Sequence, residues 1–223
     1  MRIRTFEQHG RGADWAGLAA RLGERMAGGG LDYGFREDEY YVVMDELERN
    51  YSPEGAGRQL RIGGRQAWSE VSSGPAKVWA IGQVAAQFGP GARVCDLGCG
   101  LGVVVHFCDR MGLRAMGVEY QRSLKAAHER LGIDVVYGDL FRMDLGFLRD
   151  QDVIYLYQPV KTTDSSLALL DLVHGRMRED AVVLYNGMWD RVLHRVAAGG
   201  QFDVHPVHRD RSNDSTLVLL TRR

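Results

Sequence analysis

The 223-residue sequence carries no surplus of positive charge: 28 Lys and Arg stand against 29 Asp and Glu, for a formal net charge of −1. Proteins that grip nucleic acid usually show a basic excess that displaces counterions from phosphates, so nucleic acid is disfavoured as a partner. The Arg-rich stretch GRQLRIGGR, Gly57 to Arg65, reads as the solvated face of a hairpin. Cysteine is scarce and odd in number. Cys95, Cys99 and Cys108 fit neither a disulfide framework nor a zinc knuckle, and reduced thiols in a cytoplasm are expected. The opening MRIRTFEQHGRG lacks the apolar core of a secretory signal, and no run approaches bilayer-crossing length. A soluble cytoplasmic protein that does not engage membranes is the expectation. His, Cys, Asp and Glu nowhere fall at metal-ligand spacing, so no metal site is expected, and no internal repeat stands out.

A composition of 45% hydrophobic and 26% charged residues suits one ordinary globular core. From Ala76 onward, short β-branched runs alternate with helical patterns, the mark of a parallel sheet wound with helices. Strands are read at Arg93–Asp96, Ala115–Glu119, Val135–Tyr137, Val153–Tyr157 and Val182–Asn186. The intervening GLGVVVHFCDRMG, SLKAAHERLG, SSLALLDLVHGRM and WDRVLHRVAAGG have helical character, several stopped by glycine. The tail breaks this alternation. FDVHPVH and STLVLLTRR leave no room for a helix between them across RDRSND, so they should pair antiparallel. Before residue 76, GADWAGLAARLGERMAGGG and EDEYYVVMDELERNY read as amphipathic helices, and RQLRIGGRQAW as two strands about a Gly-Gly turn. The expected architecture is therefore an α/β, Rossmann-like, doubly wound and mostly parallel seven-stranded sheet with a C-terminal antiparallel hairpin. Residues 1–75 form an N-terminal helical cap for substrate recognition, and 76–223 a cofactor-binding domain.

The stretch VCDLGCGLG, Val94 to Gly102, sits where open α/β sheets bind ligands, in the first strand-to-helix loop. A dinucleotide fingerprint needs GxGxxG, and counting from Gly98 puts Val103 where the third glycine belongs. A nicotinamide dehydrogenase is disfavoured on that register. The loop matches DxGxGxG instead, filled by Asp96, Gly98, Gly100 and Gly102, and here residues 76–223 resemble the class I S-adenosylmethionine-dependent methyltransferases.

The resemblance implies a role for each of these positions. The glycines would let the backbone approach the methionine part of S-adenosylmethionine, and a Cβ at Gly98 or Gly100 would occupy ligand volume. Asp96 would help hold the cofactor's amino group, and Glu119 the ribose hydroxyls. Asp139 would face the adenine amino group, with Leu140 and Phe141 flanking the ring. The product would be S-adenosylhomocysteine.

Methyl transfer from a sulfonium is an in-line displacement in which alignment and exclusion of water do most of the work. Nucleophile-facing groups are expected in YLYQPV, the loop after the fourth strand of the sheet domain, with Tyr157 and Gln158 the leading candidates and Tyr155 a lesser one. Amino methyltransferases of nucleobases and glutamine often carry Asn/Asp-Pro-Pro-Tyr/Phe here. Tyr157-Gln158-Pro159-Val160 lacks the first acceptor and the second proline, which argues against a nucleobase acceptor. DVIYLYQP is similar to the non-SET lysine methyltransferase branch. His205, with His208 beside it on the rim, is a candidate general base for a hydroxyl nucleophile, whereas His106 reads as a packing residue. Tyr33, Phe35, Tyr40, Tyr41 and Trp68 offer an aromatic wall for an organic substrate, or simply pack the cap. The leading reading is methyl transfer to a small organic molecule without a metal. A protein (lysine) N-methyltransferase and a non-catalytic S-adenosylmethionine-binding module remain alternatives. Oligomeric state is not specified.

Overall fold

The computed structural model describes residues 12–51, 59–62, 65–68, 74–160, 162–187, 190–210 and 215–223. The expectations for the first eleven residues, the Gly63-Gly64 turn, most of RDRSND and the rings of Trp68 and Trp189 lie outside the described residues.

Helix α1 (Trp15–Gly28) starts at Asp14, whose carboxylate accepts the Gly17 N–H at 2.8 Å, and α2 (Glu37–Tyr51) opens on Glu37, Asp38 and Glu39, a first turn that complements the helix dipole. A hairpin of β1 (Gln59–Ile62) and β2 (Arg65–Trp68) follows. Pro75 occupies the first turn of α3 (Pro75–Ala85), where its missing N–H costs nothing.

The wound sheet then runs β3 (Arg93–Leu97), α4 (Val103–Arg110), β4 (Arg114–Glu119), α5 (Lys125–Leu131), β5 (Val135–Tyr137), β6 (Val153–Tyr157), α6 (Thr163–His174), β7 (Val182–Gly187), α7 (Asp190–Gly199), β8 (Phe202–Asp210) and β9 (Ser215–Arg222). Its order is β5-β4-β3-β6-β7-β9-β8. The pairs from β5 to β7 are parallel, while β9 runs antiparallel between β7 and β8. Each expected strand and helix forms in its expected place, with ends that differ by up to three residues.

Strand alternation divides the core between two faces. Val94, Val153, Tyr155, Val182, Leu184, Leu217 and Leu219 face α1 to α4, while Cys95, Ile154, Leu156, Val183, Tyr185, Val218 and Leu220 face α6 and α7. The described part of the N-terminal segment belongs to the first face. Phe35 lies 4.5 Å, centroid to centroid, from Phe107 of α4, and Tyr40 lies 5.0 Å from the same ring. Tyr33 stacks on Phe35. Phe35 and Tyr40 thus pack the segment onto α4, Tyr33 reaches it through Phe35, and Tyr41 is exposed.

Helix α1 seats on β8 at Gly23, where a Cβ would stand 2.2 Å from the Val207 carbonyl oxygen. A backbone oxygen cannot rotate away, so Gly23→Ala must push the helix off the strand. The expected cost is about 2–3 kcal/mol, a fall in Tm of about 5–10 °C by thermal denaturation. A variant melting with the wild type would show that this contact does not limit packing.

Candidate functional site

Parallel strands place all their carboxyl ends on one edge of the sheet, and the order reverses between β3 and β6, where a crevice must open. A cleft of about 640 Å³, part of it open to solvent, lies there. Gly98, Gly100, Glu119, Asp139, Leu140, Tyr157 and Gln158 all line it, with Tyr120, Phe141 and Pro159. Phe141 is expected there as well, beside Leu140, so eight of the expected residues are brought together.

The glycine loop is tied to β4. The N–H groups of Gly98 and Cys99 donate to the Val118 carbonyl at 2.8 and 3.0 Å. Gly98 has φ +88° and Gly100 φ +53°, conformations that side chains rarely adopt. A Cβ on Gly98 would also stand 2.8 Å from Cβ of Pro159, so the loop and the lip after β6 touch across the cleft. The close approach there is to Pro159, which adds to the expected need for ligand space.

Glu119 ends β4 almost fully buried. Its Oε2 accepts the Gly100 N–H at 2.9 Å and its Oε1 the Gln121 N–H at 2.8 Å, so the expected ribose acceptor also holds the glycine loop. Asp139 turns the chain after β5, its Oδ1 accepting the Phe141 N–H at 2.9 Å. Gln158 sits in the left-handed region at φ +43°, uncommon for a residue with a side chain, and its buried Nε2 has no hydrogen-bond partner.

Three expected residues stand elsewhere. Asp96 does not line the cleft. It lies buried at the end of β3, level with Gly117 and Tyr155 on the flanking strands, and burial, then the charge of Glu119, push its carboxyl up to about 8. Gly102 caps α4 at φ +83°, and a Cβ there would stand 2.2 Å from Cδ1 of Ile133 and 3.1 Å from Cδ2 of His128. Its glycine serves packing behind the loop. His205 lies on the edge strand β8, its Nε2 3.1 Å from Oγ1 of Thr221, and β7 and β9 separate β8 from β6. At the usual spacing of roughly 4.8 Å between strands, β8 is about 14 Å from β6. Neither His205 nor His208 lines the cleft. That placement withdraws His205 as a base, because the last strand inserts beside β7 and displaces β8 outward.

Three groups escaped the sequence reading. His128 of α5, 2% exposed, bonds the Gly100 carbonyl through Nε2 at 2.7 Å. Lys77 of α3 holds its ammonium 5.0 Å from the centre of the Tyr157 ring, in cation–π range. Asn186, fully buried and paired in register with Tyr157, has neither amide atom hydrogen-bonded. Single isolated polar residues in helical or strand patterns give no local signal of this kind.

All three cysteines are buried and free, and burial raises their thiols well above the ordinary range. Among the described residues no His, Cys, Asp or Glu group is arranged to hold a metal, and no helix is long and apolar enough to cross a membrane.

A seven-stranded sheet of this order, with a C-terminal antiparallel pair and a glycine-loop crevice at its switch point, is the class I S-adenosylmethionine-dependent methyltransferase fold. Solved structures agree. DesVI of Streptomyces venezuelae is 12% identical and superposes with a TM-score of 0.54 over 85% of this chain and 99% of its own. Precorrin-6y C5,15-methyltransferase of Geobacter metallireducens, 12% identical, gives 0.52 over 74% and 97%. An RNA methyltransferase of Salinibacter ruber, solved with S-adenosyl-L-homocysteine and 19% identical, gives 0.51 over 68% and 93%. No curated protein matches the sequence. Residues 81–207, more than half of the chain, match the model of the family described as methionine biosynthesis protein MetW, and the chain belongs to that family.

Proposed function

We propose that this protein binds S-adenosylmethionine in the cleft between β3 and β6 and transfers its methyl group to a small organic acceptor. The observation that carries the reading is the convergence of Gly98, Gly100, Glu119 and Asp139 with Tyr157 and Gln158 in one cleft. The cradle fits the cofactor: two positive-φ glycines present bare backbone, and acids end three adjacent strands. Glu119 would receive the ribose hydroxyls, since a carboxylate oxygen can accept more than one hydrogen bond. Asp139, Leu140 and Phe141 would hold the adenine, and Asp96 beneath the loop would face the ammonium. The cofactor, when bound, supplies an activated methyl carbon.

The chain's own residues then align the acceptor and exclude water. Contact between Gly98 and the Pro159 lip narrows the cleft, which suits a small nucleophile. Gln158 Nε2 and the Asn186 amide are buried without partners, and such groups gain most from a ligand that pairs them.

Incubation of the purified protein with methyl-labelled cofactor and, separately, metabolite and protein extracts tests the reading. Label is expected in small molecules. Label in protein alone would establish the lysine-directed alternative, and binding without any transfer would establish a cofactor-binding module.

A further inference from the structure

His128 belongs to no expected motif, yet it touches the centre of the glycine loop, and the bonds around it close a circuit. The Gly100 N–H donates to Glu119 Oε2 at 2.9 Å, and the Gly100 carbonyl lies 2.7 Å from His128 Nε2. The other ring nitrogen, Nδ1, is 2.6 Å from the Tyr137 hydroxyl. Tyr137 and Glu119 are themselves register partners on β5 and β4. One residue of the cradle is therefore gripped on both of its peptides, at its N–H directly by β4 and at its C=O through an imidazole by β5.

A carbonyl can only accept, so Nε2 carries the proton. In the neutral ring Nδ1 is then an acceptor for the Tyr137 O–H. Burial lowers the His128 pKa, with the Gly100 bond opposing it, which agrees with a neutral ring.

We infer that His128, with its tautomer set by Tyr137, is a positioning residue for the cofactor: it holds the Gly100 peptide at the depth the ligand requires. The inference rests on the proposed S-adenosylmethionine site. Gly98 and Cys99 are tied to the Val118 carbonyl, but without His128 the next residue, Gly100, would depend on Glu119 while that carboxylate receives the ribose. With His128 on the carbonyl of the same residue, Gly100 keeps its place when Glu119 takes a second partner. A cradle fixed before binding loses less freedom on binding.

Affinity for S-adenosylhomocysteine, measured by calorimetry beside apo thermal denaturation, tests this without knowledge of the acceptor. His128→Phe keeps a ring against Gly102 but cannot donate to Gly100, and should raise the Kd about tenfold or more. His128→Gln retains a side-chain N–H donor and should recover a good part of that loss. Tyr137→Phe removes only the hydroxyl, and should weaken binding severalfold at a Tm within a few degrees of wild type. It keeps the test decisive where a His128 variant folds poorly. Wild-type binding with Tyr137→Phe unaffected, or with His128→Phe unaffected or His128→Gln no better than it, overturns the inference alone. Wild-type protein that binds no S-adenosylhomocysteine overturns the cofactor reading and this inference together.

Discussion

Gly98→Val is expected to abolish measurable binding of S-adenosylhomocysteine, a loss of at least a hundredfold in affinity, while the protein still folds. Two effects add at this position. The backbone holds φ +88°, which costs a residue with a Cβ roughly 1–2 kcal/mol, and β-branching adds to the crowding. The new Cβ would also stand 2.8 Å from Cβ of Pro159. Relief requires that the loop and the Pro159 lip separate, or that the valine methyls turn into the cleft, and either change spoils the cradle. The substitution leaves the Gly98 N–H that bonds the Val118 carbonyl in place and removes no apolar side chain from the core, so the loss should appear in ligand titrations far more than in circular dichroism. A variant that binds within a few fold of wild type would show that the packing of Gly98 against Pro159 does not shape the cofactor cradle.

The reach of the sequence differs between the two kinds of feature this variant joins. That Gly98 and Glu119 share a crevice is legible because it follows from topology. Alternating strands and helices force a parallel sheet, and a parallel sheet sends its carboxyl ends to one edge, so Asp96, Glu119 and Asp139 are brought near one another by strand order alone. That Pro159 would meet a Cβ on Gly98 is not legible. It depends on how far two loops 61 positions apart lean toward each other, which no local pattern encodes.

The same division explains the misplaced residues. Gly102 belongs to the spacing that marks the cradle, but its neighbour is Ile133, reached only because α5 packs behind the loop. His205 is expected near the end of its strand, on the rim, but β8 runs on to Asp210 and leaves it in the middle. Its distance from the cleft comes from β9 inserting between β7 and β8, an order that hairpin adjacency does not dictate. For Phe35 and Tyr40, composition gives aromatic surface without direction, and Phe107 on α4 decides the direction. His128 is hidden for a related reason. A histidine in an amphipathic helix looks ordinary until the rotation of α5 aims it at Gly100.

Asp96→Asn should separate stability from binding, raising the first and lowering the second. The wild-type carboxyl is 3% exposed and is pushed up to about 8 by burial and by the charge of Glu119, against an unfolded value near ~4. Between those two pH values the folded state holds a proton that the unfolded state has lost. Unfolding therefore releases a proton in that window, and stability falls as pH rises through it. Asparagine removes the slope. The variant should melt close to wild type at pH 4.5 and several degrees above it at pH 8.5, since the full window corresponds to an upper limit of about 5 kcal/mol. Cofactor reverses the electrostatics. The ammonium of S-adenosylmethionine beside Asp96 would favour the carboxylate, so at pH 7 wild-type binding should release close to one proton. Calorimetry in buffers of different ionisation enthalpy reads that number directly. Asp96→Asn should release none from this site and bind at least tenfold more weakly. Equal proton release by the two proteins would show that the ammonium does not meet Asp96, and would move its acceptor to another group on the cleft wall.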